Sequence, residues 1–167
     1  GDDDGQLGAK TVVDLSSTST SITPFPRVAY LAFDEEALYV LFVNYSPSPE
    51  ALAVSSDTVW HNDEVEVFIH PAGMDYRQVI VDAAGRMNDE GELLGVKVAI
   101  NKTDIQWIVE MAIPFASLGQ TPKAGDVWRL NLTGRQVADG DTWVAWNPTY
   151  GGFHNAARFG ELHFVAP

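Results

Sequence analysis

The chain contains no cysteine among its 167 residues, which excludes a disulfide framework, a thiolate metal site and a thiol nucleophile. Basic residues are scarce: 10 Lys and Arg face 23 Asp and Glu, for a formal charge of −13 and a pI of about 4.4. A polyphosphate partner needs a basic face to displace counterions, so nucleic acid is excluded. An anionic membrane surface is disfavoured on the same ground. No apolar stretch is long enough to span a bilayer as a helix. The histidines, His61, His70, His154 and His163, show no zinc-ligand spacing, and no nucleophile-elbow sequence is present. A neutral ligand such as a sugar, or a cation, fits the charge balance. No signal peptide is visible, and the opening Gly1-Asp2-Asp3-Asp4-Gly5 reads as a processed or trimmed start.

Apolar residues make up 46% of the chain and charged residues 20%, which is the composition of a packed globular domain. Residues 1–21 read as a polar, partly ordered lead-in with one short edge strand at 10–15, and residues 22–167 as a single domain. Strand signals then dominate. RVAYLAF (27–33) and LYVLFVN (38–44), separated by Asp34-Glu35-Glu36, read as a hairpin whose near-continuous apolar runs predict cover on both faces. In residues 63–69, Val65, Val67 and Ile69 alternate with Glu64, Glu66 and Phe68, which points the former set into a core and Glu66 away from it. Further strands are expected at 77–82, 94–100, 105–113, 127–135, 142–146 and 161–165. Pro114 to Gly119 reads as one helical turn. About ten short strands with no long amphipathic helix predict an all-β antiparallel sandwich of jelly-roll or immunoglobulin-like type, with one or two short helical turns.

The aromatic residues carry the chemistry. Trp107 and Trp128 lie inside strand patterns and read as core. Trp60 sits at a loop-to-strand junction among polar neighbours, and Trp143 and Trp146 flank the glycine-bearing stretch Asn147-Pro148-Thr149-Tyr150-Gly151-Gly152-Phe153-His154. A sugar has apolar C–H faces and a polar rim, so its site needs flat rings and a few fixed donors and acceptors. Trp60, Glu66, Arg77 and Gln78 with the late loop supply that mixture. The acids Glu64 and Glu66 lie on one strand face, whereas a glycosidase needs two carboxyls across a cleft, so no catalysis is expected. Asp63 reads as a loop-ordering residue, His154 as locally hydrogen-bonded, and Arg158 as the partner of an acid that pins the last loop. Sequons stand at Asn44, Asn101 and Asn131.

A set of fragments in fixed order resembles the family 9 carbohydrate-binding modules. They are Trp60-x-x-Asp63-x-x-Glu66-Val67-Phe68-Ile69, Tyr76 with Gly85, and Trp107-x-Val109-Glu110-x-x-Ile113-Pro114-Phe115. They continue with Gly125-Asp126-x-Trp128-Arg129-x-Asn131, Trp146-Asn147-Pro148, Gly152-Phe153-His154 and Arg158-Phe159-Gly160-x-Leu162. The resemblance implies an antiparallel sandwich that binds terminal sugar units between two aromatic rings and carries no catalysis. It makes Trp60 one ring and Phe153 the other, with Tyr150 and Trp146 behind it. It makes Glu66 an acceptor of sugar hydroxyls, with Arg77, Gln78 and Asp82 as polar neighbours; His154, read from its place in the loop, is a further candidate ligand contact. It departs at Asn155-Ala156-Ala157, where Asp-Pro often follows the histidine, and an apolar Ile80 in the site would alter sugar preference.

The resemblance also implies secretion, mono-, oligo- or polysaccharide partners, and other domains of a parent enzyme of polysaccharide degradation. No cofactor is required. Structural calcium is known in the resembled family, and the acidic candidates here are Asp2-Asp3-Asp4 and Asp139-Gly140-Asp141. Two other readings stand beside it. One is a haem-binding electron-transfer domain of the DOMON type, with Met74, Met87, Met111 and the histidines as axial candidates. The other is an adhesion or scaffold domain whose sugar site has decayed.

Overall fold

The computed structural model describes residues 11–17, 26–88, 93–138 and 140–165, and these form two antiparallel sheets packed face to face. The first sheet runs in the order β1 (Thr11–Ser17), β2 (Arg27–Phe33), β3 (Ala37–Tyr45), β8 (Gln106–Pro114), β7 (Lys97–Lys102). The second runs β6 (Met87–Asn88), β5 (Arg77–Asp82), β4 (Glu64–His70), β9 (Val127–Gln136), β10 (Thr142–Ala145), with β11 (Gly160–His163) also on β9. The one α-helical turn among the described residues, α1 (Phe115–Leu118), ends at Gly119 in the left-handed region (φ 75°), where a residue without Cβ is unstrained. The expected all-β sandwich with short helical turns is the observed architecture.

The strand at the lead-in is present but is not an edge. Residues 11–15 of β1 pair with β2 in the first sheet, and Ser16 and Ser17 pair with Ala145 and Val144 of β10 in the second. β1 therefore carries the chain from one sheet to the other and closes that side of the sandwich, leaving fewer open edges. The remainder of the lead-in, with its Asp2-Asp3-Asp4 run, and Asp139 lie outside the described residues.

Alternation places the core. Val65, Val67 and Ile69 of β4, Val79 and Val81 of β5, and Leu130 and Leu132 of β9 face Leu31, Val40, Phe42, Val109, Met111 and Ile113 of the first sheet. Trp107 and Trp128 are buried in this core, as their strand positions predict. Arg27 is buried too. It crosses between the sheets, donating to Gln136 Oε1 and to the backbone carbonyls of Glu64 and Arg135, so the guanidinium is hydrogen-bonded where water cannot reach it. Asn44 and Asn131 are also fully buried, which closes two of the three sequons to glycosylation in the folded chain.

The hairpin β2–β3 forms as expected, with Asp34 Oδ1 accepting from the Glu36 and Ala37 amides at 2.7 and 2.8 Å. Cover on both of its faces does not follow. Residues alternate between buried and partly exposed along both strands, because nothing described packs on the outside of the first sheet. There Tyr30, Tyr39, Leu41 and Ala112 line an apolar hollow of about 440 Å³.

The second sheet has a break along β9. One edge of β9 pairs continuously with β4. Its other edge is shared: residues 127–130 pair with β11 and residues 133–136 with β10. The chain between those partners, residues 146–159, must leave the sheet in mid-strand, and it lies over the outer face of β4. Asn131 fills the gap in the ladder. Its Nδ2 donates to the Asn147 carbonyl and its Oδ1 accepts from the Asn147 amide, both at 3.0 Å.

Candidate functional site

The outer face of the second sheet holds a cleft of about 330 Å³, at the small end of the ~300–1,000 Å³ typical of ligand sites. Its floor comes from β4 and β5. Because side chains alternate, Glu66 and its cross-strand partner Ile80 face outward together, with Gln78 beside them and Asn88 of β6 paired to Ile80. Its rim comes from Trp60, Trp143 on β10, and Gly152, Phe153 and His154 of the late loop. A second hollow of about 280 Å³ adjoins it across Trp143, Gly151, Gly152 and Phe153.

Trp60 lies on a 3-10 turn, Val59–His61, that follows an extended loop. The turn is fixed from beneath. The Asn62 side chain accepts from the Ser56 amide and donates to the carbonyls of Ser56 and Thr58 and to Asp82 Oδ2. Asp82 is buried and also accepts from Arg86 Nε at 2.7 Å, and Arg86 reaches the Val54 and Ser56 carbonyls. Asp63 accepts from the amides of Ala53 and Ala138, the loop-ordering role its sequence position suggests. The outcome is an indole that stays 44% exposed on a rigid turn.

Of the nine residues singled out in the sequence, the structure brings five to this cleft: Trp60, Glu66, Gln78, Phe153 and His154. The other four lie outside its lining. Arg77 is adjacent to Gln78 and so points to the opposite face, with its Nη1 on the Tyr76 carbonyl. Asp82 shares the face of Gln78 but is consumed by the Arg86 and Asn62 network. Trp146 packs on the core and over Gly160, where a Cβ would meet its ring at 2.5 Å. Tyr150 is exposed, adopts φ 54°, and carries the Arg158 guanidinium 4.9 Å from its ring centroid. Arg158 thus meets a tyrosine, where an acid was expected.

Phe153 lines the cleft but is a poor open platform. It is 8% exposed, with its ring against Phe68 (6.4 Å between centroids) and Trp143 (5.4 Å) in a small cluster beneath the late loop. The second open ring is Trp143, 38% exposed. The sequence held a signal for it: Val144 is an inward apolar residue, so its neighbour Trp143 must face out. Asn88 left no comparable signal, because its strand is two residues long.

Burial governs the floor's charge. Glu66 is 3% exposed, and desolvation raises its carboxyl to a pKa of about 7, against the Gln78 Nε2 hydrogen bond at 2.5 Å that favours the charged form. Glu64, on the same strand face and fully buried, is raised well above the usual carboxylate range by burial first and by Glu66 second, with Arg27 opposing. His154 is held at Nδ1, 3.0 Å from the Tyr76 hydroxyl, so Nε2 is the edge it offers a ligand. The hollow on the first sheet is larger but lacks such convergence. Its lining is almost wholly apolar, and the Tyr39 hydroxyl is engaged by Asp34 Oδ2 at 2.7 Å.

Comparison with known proteins supports the same fold. A search of curated proteins finds no match. Two solved structures of a family 9 carbohydrate-binding module from Caldicellulosiruptor kristjanssonii have the same fold. The one in complex with cellotriose is 19% identical, covers 96% of this chain and 84% of its own, and has a TM-score of 0.76. The one in complex with glucose is 21% identical, covers 90% and 83%, and has a TM-score of 0.73. The family profile described as "Carbohydrate family 9 binding domain-like" matches residues 9–166, nearly the whole chain. The chain belongs to the carbohydrate family 9 binding domain-like family.

Proposed function

We propose that this domain is a non-catalytic module that binds a terminal unit of a neutral saccharide in the cleft between Trp60 and Trp143. The observation that carries the reading is the convergence of two half-exposed indoles from separate elements over one buried carboxyl, two side-chain amides and an imidazole. The indoles offer apolar planes to the C–H faces of a pyranose. Glu66, Gln78, Asn88 and His154 offer acceptors and donors to its hydroxyls. Ile80 interrupts that polar floor, so one edge of the bound ring meets a hydrocarbon surface and gains from carrying no hydroxyl there. Both buried acids of β4 project from the same strand face, an arrangement that cannot place two carboxyls on opposite sides of a glycosidic bond.

Family membership and the sugar complexes of the structural neighbours support the same reading. It carries with it service to a larger, secreted carbohydrate-active protein. Calcium of a purely structural kind fits that setting, although the described acid of the 139–141 loop, Asp141, is already paired with Arg135. Isothermal titration of the domain with glucose and cellotriose tests the proposal. The expected result is saturable binding in the micromolar to millimolar range, since few contacts must offset the cost of ordering a small ligand. Absence of binding to both sugars and to a broad glycan array, with the domain folded, overturns it.

A further inference from the structure

We infer that Arg135 is the positioning residue of the cleft, a strut that sets the gap between the two indoles without touching the ligand. The inference rests on the saccharide reading above. Arg135 lies on β9 directly across from Trp143 in the β9–β10 ladder. Its guanidinium carbon stands 4.8 Å from the centroid of the Trp143 ring, within range for cation–π attraction. The same guanidinium reaches the other way: Nη1 donates to the backbone carbonyl of Trp60 at 3.3 Å. One planar group therefore contacts the face of one indole and the peptide that carries the other.

Three further contacts fix the strut. Nε and Nη2 donate to the two oxygens of Asp141 at 2.6 and 3.1 Å, a bidentate fork that locks the plane of the guanidinium. Asp141 holds this place from a left-handed backbone (φ 55°) in the β9–β10 turn, beside Gly140 at φ 96°. On the inner side, the Arg135 carbonyl accepts from Arg27 Nη2 at 3.1 Å, so the main chain at the strut's base is clamped from the core. Asp141 lowers the acidity of Arg135, and Arg135 in turn holds the Asp141 carboxyl below its usual range.

Arg135 is not among the residues that line the cleft. Among the described residues the indoles lining it are those of Trp60 and Trp143, and this one side chain contacts the ring of one and the backbone of the other. A lysine could keep the charge but could neither stack flat on the indole nor hold the carboxylate in two places. The carbonyl contact adds to the turn's own bonds, His61 N to Thr58 O and Asn62 N to Val59 O, and links the turn through Arg135 to Trp143.

The test compares R135M, R135K and the exposed-site variant D141N with the wild type, by amide exchange without sugar and by titration with cellotriose. In sugar-free R135M the amides of His61 and Asn62 are expected to exchange at least about fivefold faster. Cellotriose affinity is expected to fall about tenfold in R135M, and to be recovered only in part by R135K and D141N. Unchanged exchange of the Trp60 turn refutes the strut whatever the sugar does. Faster exchange with unchanged affinity refutes its role in binding. If wild type binds neither cellotriose nor any glycan on an array, the function proposed above fails, and the sugar-free exchange result still decides whether Arg135 holds the indoles. Should R135M not fold, D141N and R135K carry the same comparison.

Discussion

Removing the Trp60 indole is the sharpest perturbation of the proposed site. Trp60 is 44% exposed, so of the ~250 Å² an indole residue presents, about 110 Å² remains open to a ligand. A pyranose resting on one face covers about half of that and loses a similar area of its own, which removes about 110 Å² from water in total. At ~25 cal/mol per Å² this is about 3 kcal/mol, or on the order of a hundredfold in affinity. Stability should fall by no more than about 3–4 kcal/mol, the packing of the remaining ~140 Å² at ~25 cal/mol per Å², and the domain should stay folded because the turn is held by Asn62 and Asp63. The assay is calorimetric titration of Trp60→Ala with cellotriose, alongside its thermal unfolding. A mutant that stays folded at the titration temperature and binds no more than threefold more weakly refutes the reasoning, since the ligand would then rest elsewhere.

Four other outcomes follow from the same geometry. Glu66 is protonated below a pKa of about 7; sugar hydroxyls that donate to it favour the carboxylate, so affinity should rise with pH towards 7 and level off above it, and near pH 7 binding should release about half a proton. Titration in buffers of different ionisation enthalpy measures that proton, and Glu66→Gln should abolish the dependence. The sign for folding is opposite: a carboxyl whose pKa is raised on folding loses stability as pH climbs from its unfolded value of 4.5 to about 7, which urea unfolding across that window will show. Gly160→Ala would set a Cβ 2.3 Å from Asn147 Nδ2 and 2.5 Å from the Trp146 ring, and overpacking of this kind costs about 1–3 kcal/mol, visible as a melting point lower by several degrees. Asn131→Ala would strand the amide and carbonyl of Asn147 at a cost of about 1–3 kcal/mol, with faster amide exchange at residues 146–148 and weaker cellotriose binding as the readouts.

The fold was legible where side chains alternate. In β4 and β8 the period-two pattern names the inward residues one by one, and the hydrophobic effect leaves no second choice. Pairing partners were not legible: nothing in residues 11–17 states that one half of the strand joins β2 and the other β10, because backbone hydrogen bonds are the same for every sequence. For the site, Trp60, Glu66 and Gln78 could be read from position and face. Arg77 and Gln78 could not both belong to one cleft, since neighbours on a strand point opposite ways, and the same rule would have promoted Trp143. Asp82 had the correct face but the wrong employment, for its partners Arg86 and Asn62 are set by the β5–β6 turn and the Trp60 loop. Phe153 was placed correctly along the chain. What the sequence does not reveal is that Phe68 below it needs cover, and that this demand turns the Phe153 ring inward. The methionines weighed for haem ligation fall outside the cleft, with Met111 in the core.

Cleft and loop are one construction. The outer face of β4 carries Glu64, Glu66 and Phe68 in succession, and a bare phenylalanine on a sheet face must be buried. β9 supplies the cover by exchanging β10 for β11 in mid-strand, which expels residues 146–159 over that face. Asn131 satisfies the backbone at the point of exit, and Gly160 makes room for Trp146 where the chain returns. Phe153 and Phe159 then close over Phe68, at 6.4 and 5.5 Å. The loop reaches only that far. One register step along β4, Glu66 and Ile80 stay beyond its edge, too deep for bulk solvent yet open to a ligand small enough to enter beside Gly152. The polar floor is therefore the part of the sheet the loop does not finish covering. The proposed binding would depend on that incomplete cover as much as on the rings, because a loop that reached further would bury Glu66 outright and a shorter one would leave its carboxyl solvated and without the elevated pKa.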